Sequence, residues 1–287
     1  MGVRQRVARS RELVAAGRPV AVVARVAGIS RQALYRRPTR PPRGQRRPLD
    51  QIDQRVLAVA RENPTDGTRM IAALTSRDAG MAVNRKRVQR LMREHRLLQP
   101  SRSEGRRKRP GFFQVTRPDE LWHLDMTSVW VAEHGWCYLN AAIDCCTREI
   151  TGWALDVRCR KEEAIAVIDA AVADRGVLPG TLTLGTDNGS AYTSRQFRAR
   201  LSEFGVTHRR GGYRDPESQA FIESWFSKLK LRCVWREEFE TLQQARHVIG
   251  GYIDNYHHRP HSGLNYRTPR EVAATWNDYD QPLKHAA

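Results

Sequence analysis

Three carboxylates stand in settings from which they could act together on a phosphate ester. Asp125 lies in the strand-like run 121–131. Asp187 follows a second apolar run at 181–186, and Glu223 lies in a helical stretch. Magnesium takes oxygen ligands, usually one or two carboxylates each, and two such ions about 3.5–4 Å apart can hold the attacking and leaving oxygens of an in-line displacement. The trio therefore predicts metal-dependent phosphoryl transfer.

The positive charge of the chain is concentrated in its first part. Formal net charge is +18, with a pI of about 10.5. Residues 1–118 contain 29 Lys and Arg against 8 Asp and Glu, whereas residues 119–287 contain 20 against 23. The alternative is general polyanion affinity of the ribosomal-protein kind. The one-sided distribution favours a DNA-binding part followed by a near-neutral part that can contain an acidic site.

Other composition signals exclude several classes of protein. No apolar run is long enough to span a membrane, and the arginine-rich N-terminus lacks the apolar segment of a secretory signal. None of the five cysteines forms a C-x-x-C pair, which argues against a zinc finger. An odd number of cysteines is typical of a reduced cytosolic protein.

Residues 1–40 are predicted to form a helix-turn-helix. The apolar stretch 20–27 ends at Gly28, which suits a helix C-cap, and Ser30 can cap the helix that follows. The second helix of such a motif enters the major groove. We therefore expect that helix to contact DNA through three side chains: Arg31, Gln32 and Arg36.

A second helical DNA-binding domain is predicted over residues 49–98, after a proline-rich linker at 41–48. Its helices are expected at about 50–62, 68–78 and 84–95. Asn84 can cap the last helix, whose apolar stripe of Val88, Leu91 and Met92 leaves a cationic face on the other side. The alternative is a small bundle with a solvated basic face. The charge asymmetry favours DNA contacts from four residues of that face: Arg85, Lys86, Arg87 and Arg90.

Residues 99–114 form a second linker, which is polar and strongly basic. Such a segment can bind phosphates without sequence preference. The expected contacts are Arg106, Arg107, Lys108 and Arg109.

From residue 115 the pattern changes to that of an α/β domain. Strands are predicted at 121–131, 136–144, 148–157, 181–186 and 206–210, and helices at 161–174, 194–204 and 218–232. Three consecutive strands followed by alternating helices and strands predict a mixed five-stranded sheet with flanking helices. This order would bring Asp125, Asp187 and Glu223 together, where they would repel one another without a cation. The predicted catalytic core spans 115–240, and a helical extension spans 241–287.

Six motifs of this part occur in the same order in one known family. They are residues 122–127, 138–144, 148–153, 186–192, 222–230 and 255–264, followed by the tail at 268–271. On these motifs, the segment 115–275 resembles the catalytic core of insertion-sequence transposases of the IS-three type, within the retroviral integrase superfamily. That core has a ribonuclease-H-like fold. Residues 49–98 resemble the helix-turn-helix domain that often precedes it.

The resemblance implies specific roles for four residues. Asp125, Asp187 and Glu223 would be the catalytic, metal-binding triad of a DDE enzyme, with two Mg²⁺ ions per site and Mn²⁺ able to substitute. Lys230 lies seven residues after Glu223, about two helical turns, and so on the same face. It would contact DNA near the scissile phosphate.

Two positions depart from the family pattern. Gly185-Thr186 stands where the family usually has His-Ser, and Ser218-Gln219 stands where it often has Asp-Asn. Neither change removes a ligand. Several other residues are interpreted as structural, namely Asp144 after the second strand, the core tryptophans Trp122, Trp153 and Trp225, and the histidines His257, His258 and His261, for which packing or DNA contact is favoured over zinc binding.

The sequence therefore predicts a transposase that binds the terminal inverted repeats of an insertion sequence and catalyses DNA cleavage and strand transfer. Its partners would be transposon-end and target DNA, a second copy of the chain or a higher oligomer, and an upstream-frame DNA-binding protein joined by frameshifting. The expected location is the bacterial cytoplasm, at the nucleoid. Two alternatives remain: a ribonuclease-H-like nuclease that uses water only, and a catalytically inactive DNA-binding regulator.

Overall fold

The computed structural model describes residues 2–35, 48–99, 115–211 and 219–284. The chain divides into two compact units, residues 1–51 and 52–287. Several residues named above lie outside the described ranges: Arg36, Arg106, Arg107, Lys108, Arg109 and Ser218.

The first unit contains one helix more than the sequence indicated. Its helices are α1 (Val3–Ala15), α2 (Val20–Ala27) and α3 (Arg31–Tyr35). Gly28 has a φ of 61°, and Ser30 Oγ accepts a hydrogen bond from the N–H of Ala33, so both predicted caps are confirmed. The first helix has no continuous apolar face to predict it from, because it packs partly through Arg11, whose guanidinium donates to the carbonyls of Ala33 and Leu34.

The second unit begins with a three-helix bundle. Its helices are α4 (Gln51–Glu62), α5 (Thr68–Asp78) and α6 (Arg85–Glu94), each within one residue of the predicted ends. Asn84 Oδ1 accepts a hydrogen bond from the N–H of Lys86 at 2.8 Å and caps α6. Val88, Leu91 and Met92 are buried in the core of the bundle, as their helical spacing predicted.

A mixed five-stranded sheet follows, which confirms the predicted fold class. The strands are β1 (Leu121–Val131), β2 (Gly135–Asp144), β3 (Ile150–Asp156), β4 (Thr183–Thr186) and β5 (Thr207–Arg210), in the spatial order β3-β2-β1-β4-β5. β1 is antiparallel to β2 and parallel to β4. β4 starts two residues later than predicted, because Thr181 is used in a turn in which its Oγ1 donates to the Leu178 carbonyl at 2.7 Å.

Helices cover both faces of the sheet. They are α7 (Lys161–Arg175), α8 (Ser190–Thr193), α9 (Arg195–Glu203), α10 (Ala220–Arg232), α11 (Leu242–His257) and α12 (Pro269–Lys284). The tryptophans predicted to be core residues pack in the two resulting cores: Trp122, Trp153 and Trp225. Among the described residues, no helix is long and apolar enough to cross a membrane.

Alternation along β1 decides which way its acidic residue points. Trp122 and Leu124 pack with α7 and α9 on one face, whereas Val129 and Val131 pack with α10 and α11 on the other. Successive side chains of a strand point to opposite faces. Asp125 has the same parity as Val129, so its carboxylate lies on the α10 side of the sheet.

Ion pairs join the three-helix bundle to the sheet domain. The carboxylate of Asp66, which is 3% exposed, accepts from Arg232 at the end of α10 and from Arg259 just after α11. A second pair joins Arg77 of α5 to Glu271 of α12 at 2.6 Å. The bundle is therefore docked against the two helices that cover the α10 face of the sheet.

Candidate active site

Asp125 lies on the central strand of the sheet, opposite Ala141 of β2. Its side chain is half-buried, and Oδ1 accepts a hydrogen bond from the backbone N–H of Met126 at 2.7 Å. Its second oxygen has no hydrogen-bond partner among the described residues. The strand pairing on both sides of β1 fixes the backbone of Asp125, and the second carboxylate oxygen is available to a ligand.

Asp187 is brought level with Asp125 by the parallel pairing of β1 and β4. His123 pairs with Gly185 in this register, and continuing it by two residues puts Asp187 opposite Asp125 at the carboxyl end of β4. The exposed side chain of Asp187 accepts, through Oδ1, a hydrogen bond from the N–H of Gly189 at 2.8 Å. A Cβ on Gly189 would lie 2.9 Å from that oxygen, so glycine is required where the turn closes on the carboxylate.

Glu223 lies in the first turn of α10, where its N–H donates to the carbonyl of Gln219 at 3.1 Å. Ile222 and Trp225 bury the helix face that packs on the sheet, which leaves Glu223 exposed on the flank. Lys230 occupies the same flank two turns later and is half-buried.

The pKa of Asp125 is raised mainly by burial, with smaller contributions from the other two acids. Burial, with the negative charges of Asp187 and Glu223 added, raises this pKa from 3.8 to about 6. The Met126 N–H and the Lys230 ammonium act in the opposite direction. A carboxylate beside like charges resists ionisation, and a cation bound among the three acids would relieve the repulsion.

The donor chemistry suits a hard divalent cation, but the carboxylates are not closed into a cage. Within the described ranges, no group of three or more His, Cys, Asp or Glu side chains is arranged to hold a metal ion. Asp125 and Asp187 each turn one oxygen to a backbone N–H. Shared ligation would require these side chains and Glu223 to rotate toward a common point, with water and substrate phosphate completing the oxygen shell that Mg²⁺ prefers.

Comparison with known proteins establishes the family. Residues 115–216 and 204–269 match the integrase core domain, and residues 48–107 match an HTH-like domain. The chain is 30% identical over 280 residues to the transposase InsD for insertion element IS2A/D/F/H/I/K of Escherichia coli, covering 91% of this chain and 93% of the relative. The chain belongs to the insertion-sequence transposases with an integrase core.

The transposase is also 27% identical over 253 residues to the transposase for insertion sequence element IS904 of Lactococcus lactis subsp. lactis, covering 83% of this chain and 98% of the relative. Among solved structures it resembles a simian T-cell lymphotropic virus intasome in complex with PP2A regulatory subunit B56 gamma, with a TM-score of 0.47, 15% identity and coverage of 75% and 73% of the two chains. Membership of the integrase-core family makes the transposase a polynucleotidyl transferase of the DDE class, and this class typically uses divalent metals.

A histidine that the sequence did not single out lies beneath the acidic site of the transposase. The ring of His123 is buried and stacks on Phe221 of α10, with 5.7 Å between ring centroids. A Cβ on Gly185 would lie 2.9 Å from Cδ2 of His123. The imidazole therefore fills the space in front of Gly185, which accounts physically for a glycine where the family usually has histidine. Burial lowers the pKa of His123 to about 4, so the ring is neutral at pH 7.

The predicted DNA-contacting side chains fall into two groups in the transposase. Those that are exposed and available to phosphate are Arg31, Gln32, Arg85, Lys86 and Arg90. Arg87 differs, because its Nε donates to Asp53 at 2.7 Å and Asp53 is 3% exposed. Arg87 therefore ties α6 to α4, a role that sequence spacing could not distinguish from DNA contact.

Asp144 and His257 have structural roles, as expected. The Asp144 carboxylate is buried and accepts from the N–H groups of Asp119 at 2.7 Å and Thr147 at 2.9 Å. The ring of His257 accepts through Nε2 from the N–H of Ile150 at 2.9 Å. Both side chains close the β2–β3 turn onto its neighbours.

Proposed function

We propose that the transposase binds the terminal inverted repeats of its insertion sequence and catalyses DNA strand cleavage and strand transfer at Asp125, Asp187 and Glu223. The single observation that supports this site most directly is the parallel register of β1 and β4, which, continued by two residues, puts Asp187 opposite Asp125. The charges of Asp187 and Glu223 also add to the raised pKa of Asp125, although burial is its main cause. Family membership supplies the class of reaction.

We assign two Mg²⁺ ions to these carboxylates, with Mn²⁺ able to substitute. When bound, the ions would activate the attacking oxygen and stabilise the leaving oxygen of the displacement. The assignment is supported by the all-oxygen donor set and by the repulsion that a cation would relieve. The carboxylates on β1 and after β4 would supply ligands from rigid positions, and Glu223 would complete the set from α10.

Two displacements at phosphorus account for the reaction. In the first, a water oxygen attacks the scissile phosphorus, the bond to the 3′ oxygen breaks, and the transposon strand ends in a 3′-hydroxyl. In the second, that hydroxyl attacks a target phosphodiester, so one P–O bond forms as another breaks and no ATP is consumed. Lys230, on the same flank of α10 as Glu223, would hold a phosphate beside the scissile one.

The helical modules would bring the DNA to this site. Exposed side chains on α3 and α6 would contact transposon ends, and the HTH-like match at residues 48–107 supports that role for α6. Both ends must be held at once, so we assign a homodimer or higher oligomer on DNA, with an upstream-frame DNA-binding protein as a further partner. The place of action would be the nucleoid in the bacterial cytoplasm.

The test uses the full chain, duplex DNA from the ends of its own element, a target duplex and Mg²⁺. The wild type is expected to release 3′-hydroxyl ends and to join them to the target. Asp187→Asn should lose about 10²–10³-fold in both steps, as removal of a group that stabilises a transition state does, while binding of the end duplex is retained. Asp254→Asn, an exposed change on α11, is the matched control and should act like the wild type.

Three outcomes would contradict the proposal. Cleavage without joining, under several designs of DNA end, would identify a nuclease that uses water only. Equal activities of Asp187→Asn and Asp254→Asn would point to a regulator with an inactive core. Activity that persists after removal of divalent ions would exclude the assigned metals.

A further inference from the structure

Three cationic or donor side chains converge on one flank of α10 from separate elements. Arg148 lies in the β2–β3 turn, Lys228 lies on α10, and His261 lies in the segment after α11. All three are half-buried. Lys228 Nζ lies 3.3 Å from Nε2 of His261, so two of them are in direct contact.

The contact between Lys228 and His261 brings two donors together. Nδ1 of His261 accepts a hydrogen bond from the N–H of Gly263 at 3.1 Å, so this nitrogen carries no proton. In a neutral imidazole the other nitrogen then carries the hydrogen. An ammonium and an Nε2–H therefore face each other without an acceptor between them, and an oxyanion placed against both would accept from each.

Arg148 adds a third donor without an acceptor. Its guanidinium lies over the ring of Phe221, 3.3 Å from the centroid, as in a cation–π contact. Its Nη1 is buried and has no hydrogen-bond partner among the described residues. A buried donor left without a partner is costly, so the group is prepared for an acceptor that the described chain does not supply.

Among the described residues, no carboxylate forms an ion pair with Arg148, Lys228 or His261, although the charge of Asp144 acts to raise the pKa of Arg148. Burial, with Lys228 and Arg148 adding to it, lowers the pKa of His261 to about 4. Burial, together with the charges of Arg232 and Arg148, also lowers the pKa of Lys228, and Asp66 opposes this shift. Asp66 is already bound by two arginines in the docking contact, so it cannot act as the missing acceptor.

The group lies between the acidic site and the docked three-helix bundle. The charge of Arg148 also contributes to the lowered pKa of His123, which is two residues before Asp125 on the same face of β1. Lys228 is five residues after Glu223, about 7.5 Å along the helix and roughly 140° around it. A ligand of this group is therefore a neighbour of the scissile phosphate and is not the scissile phosphate itself.

We propose that Arg148, Lys228 and His261 form an oxyanion-binding site whose ligand is a backbone phosphate of the transposon end, within a few nucleotides of the cleavage point. The source of the oxyanion rests on the proposed function. DNA that is bound by the three-helix bundle and cut at the acidic site would pass this flank of α10.

The test uses the full chain carrying Asp187→Asn, so that bound DNA is not cut. Lys228→Met keeps the side-chain stem and removes the charge. His261→Asn keeps an acceptor for the Gly263 N–H and removes the Nε2–H donor. Lys161→Met, at the start of α7, is the control for the loss of one charge. Affinity for the end duplex is measured over a series of salt concentrations.

We expect Lys228→Met to bind about tenfold more weakly and the slope of log K against log salt to fall by about 0.9, the value for one phosphate contact. His261→Asn should weaken binding about threefold, and Lys161→Met should match its parent. A single uncharged methylphosphonate near the cleavage point should weaken binding by the parent but cause no further loss in Lys228→Met. His261→Asn serves as the second variant where Lys228→Met does not fold.

Equal affinities and equal salt slopes for Lys228→Met and Lys161→Met would overturn the proposal. It would also be overturned if a methylphosphonate, at every position tested in the end duplex, weakened binding by Lys228→Met as much as binding by the parent. Thermal unfolding in inorganic phosphate and in chloride, at matched ionic strength, shows whether the site takes a free anion or a DNA phosphate. Stabilisation by phosphate that Lys228→Met loses, with DNA binding unchanged, would mean a free-anion site and reject the DNA assignment. If the parent chain, which carries only Asp187→Asn, binds scrambled DNA as tightly as the end duplex, the proposed function is contradicted. The unfolding experiment in phosphate then tests the oxyanion site independently of that function.

Discussion

Arg232, on the helix that carries Glu223, donates to the buried carboxylate of Asp66 in the three-helix bundle. Arg259 binds the second oxygen of the same carboxylate. One buried charge thus links the HTH-like part of the transposase to α10. A rotation of the bundle on DNA would have to break this contact or carry α10 with it.

Asp66→Asn should lower the free energy of unfolding by about 3–5 kcal/mol, the usual cost of removing one partner from a buried ion pair. The change strands two guanidinium groups whose side chains are 20% and 21% exposed. Urea unfolding of the full chain measures it. Asp78→Asn is the control, because its partner Arg55 is 56% exposed and such surface pairs contribute little to stability. Equal losses in the two variants would contradict a buried link.

Gly185→Ala should destabilise the transposase by about 1–3 kcal/mol, because the added methyl meets the His123 ring in a packed core. Part of that loss should return when His123→Ala is combined with it. Gly251→Ala on α11 is the control, for which the free energy of unfolding is expected to rise and not to fall. No atom lies within 4 Å of its added Cβ, so the higher helix propensity of alanine should stabilise it by up to about 1 kcal/mol. A neutral Gly185→Ala would contradict the proposed packing of His123.

The sequence predicted most of the elements and left out most of the contacts between them. The run 121–131 gave both ends of β1 correctly, because apolar residues recur along it and the turn at 132–134 follows it. The pairing of His123 with Gly185 depends on the register of two parallel strands about sixty residues apart, and no local pattern contains that register. The docking contact of Asp66 could not be predicted from a local pattern either, because an isolated aspartate before a helix is most often a solvated turn residue.

Buried histidines should make the stability of the transposase depend on pH. Burial lowers the pKa of His257 below its ordinary 6.5, with Glu149 partly opposing the shift. A depressed pKa in the folded state means that the stabilisation is present above pH 6.5 and is lost as the pH falls through the folded-state pKa. His257→Gln can still accept from the Ile150 N–H and cannot be protonated there. Between pH 7.5 and 5.0 the wild type should therefore lose more unfolding free energy than this variant.

His247→Gln, exposed on the same helix, is the control for the pH experiment and should follow the wild type. Chemical unfolding at the two pH values is the measurement. Parallel losses in wild type and His257→Gln would show that His257 is not held neutral by its contact with the β2–β3 turn.

The exposed cations of α6 should contribute to DNA binding in proportion to the phosphates they contact. Replacing Lys86 by Met and Arg90 by Gln should reduce the salt slope of end-duplex binding by about 1.8, or 0.9 for each contact. Arg87→Gln should instead lower stability, because it leaves the buried Asp53 without this partner. A salt slope unchanged in the double variant would exclude α6 as the DNA-contacting face.

Metal-directed backbone cleavage can show whether Asp125, Asp187 and Glu223 share divalent ions. Fe²⁺ replaces Mg²⁺ in the complex of the full chain with end DNA, and peroxide with ascorbate generates radicals that cut the polypeptide beside the metal. Cuts are expected close to all three residues in wild type and in Asp254→Asn, and all of them should be lost in Asp187→Asn. Cuts that avoid Glu223, or that persist in Asp187→Asn, would contradict a shared site.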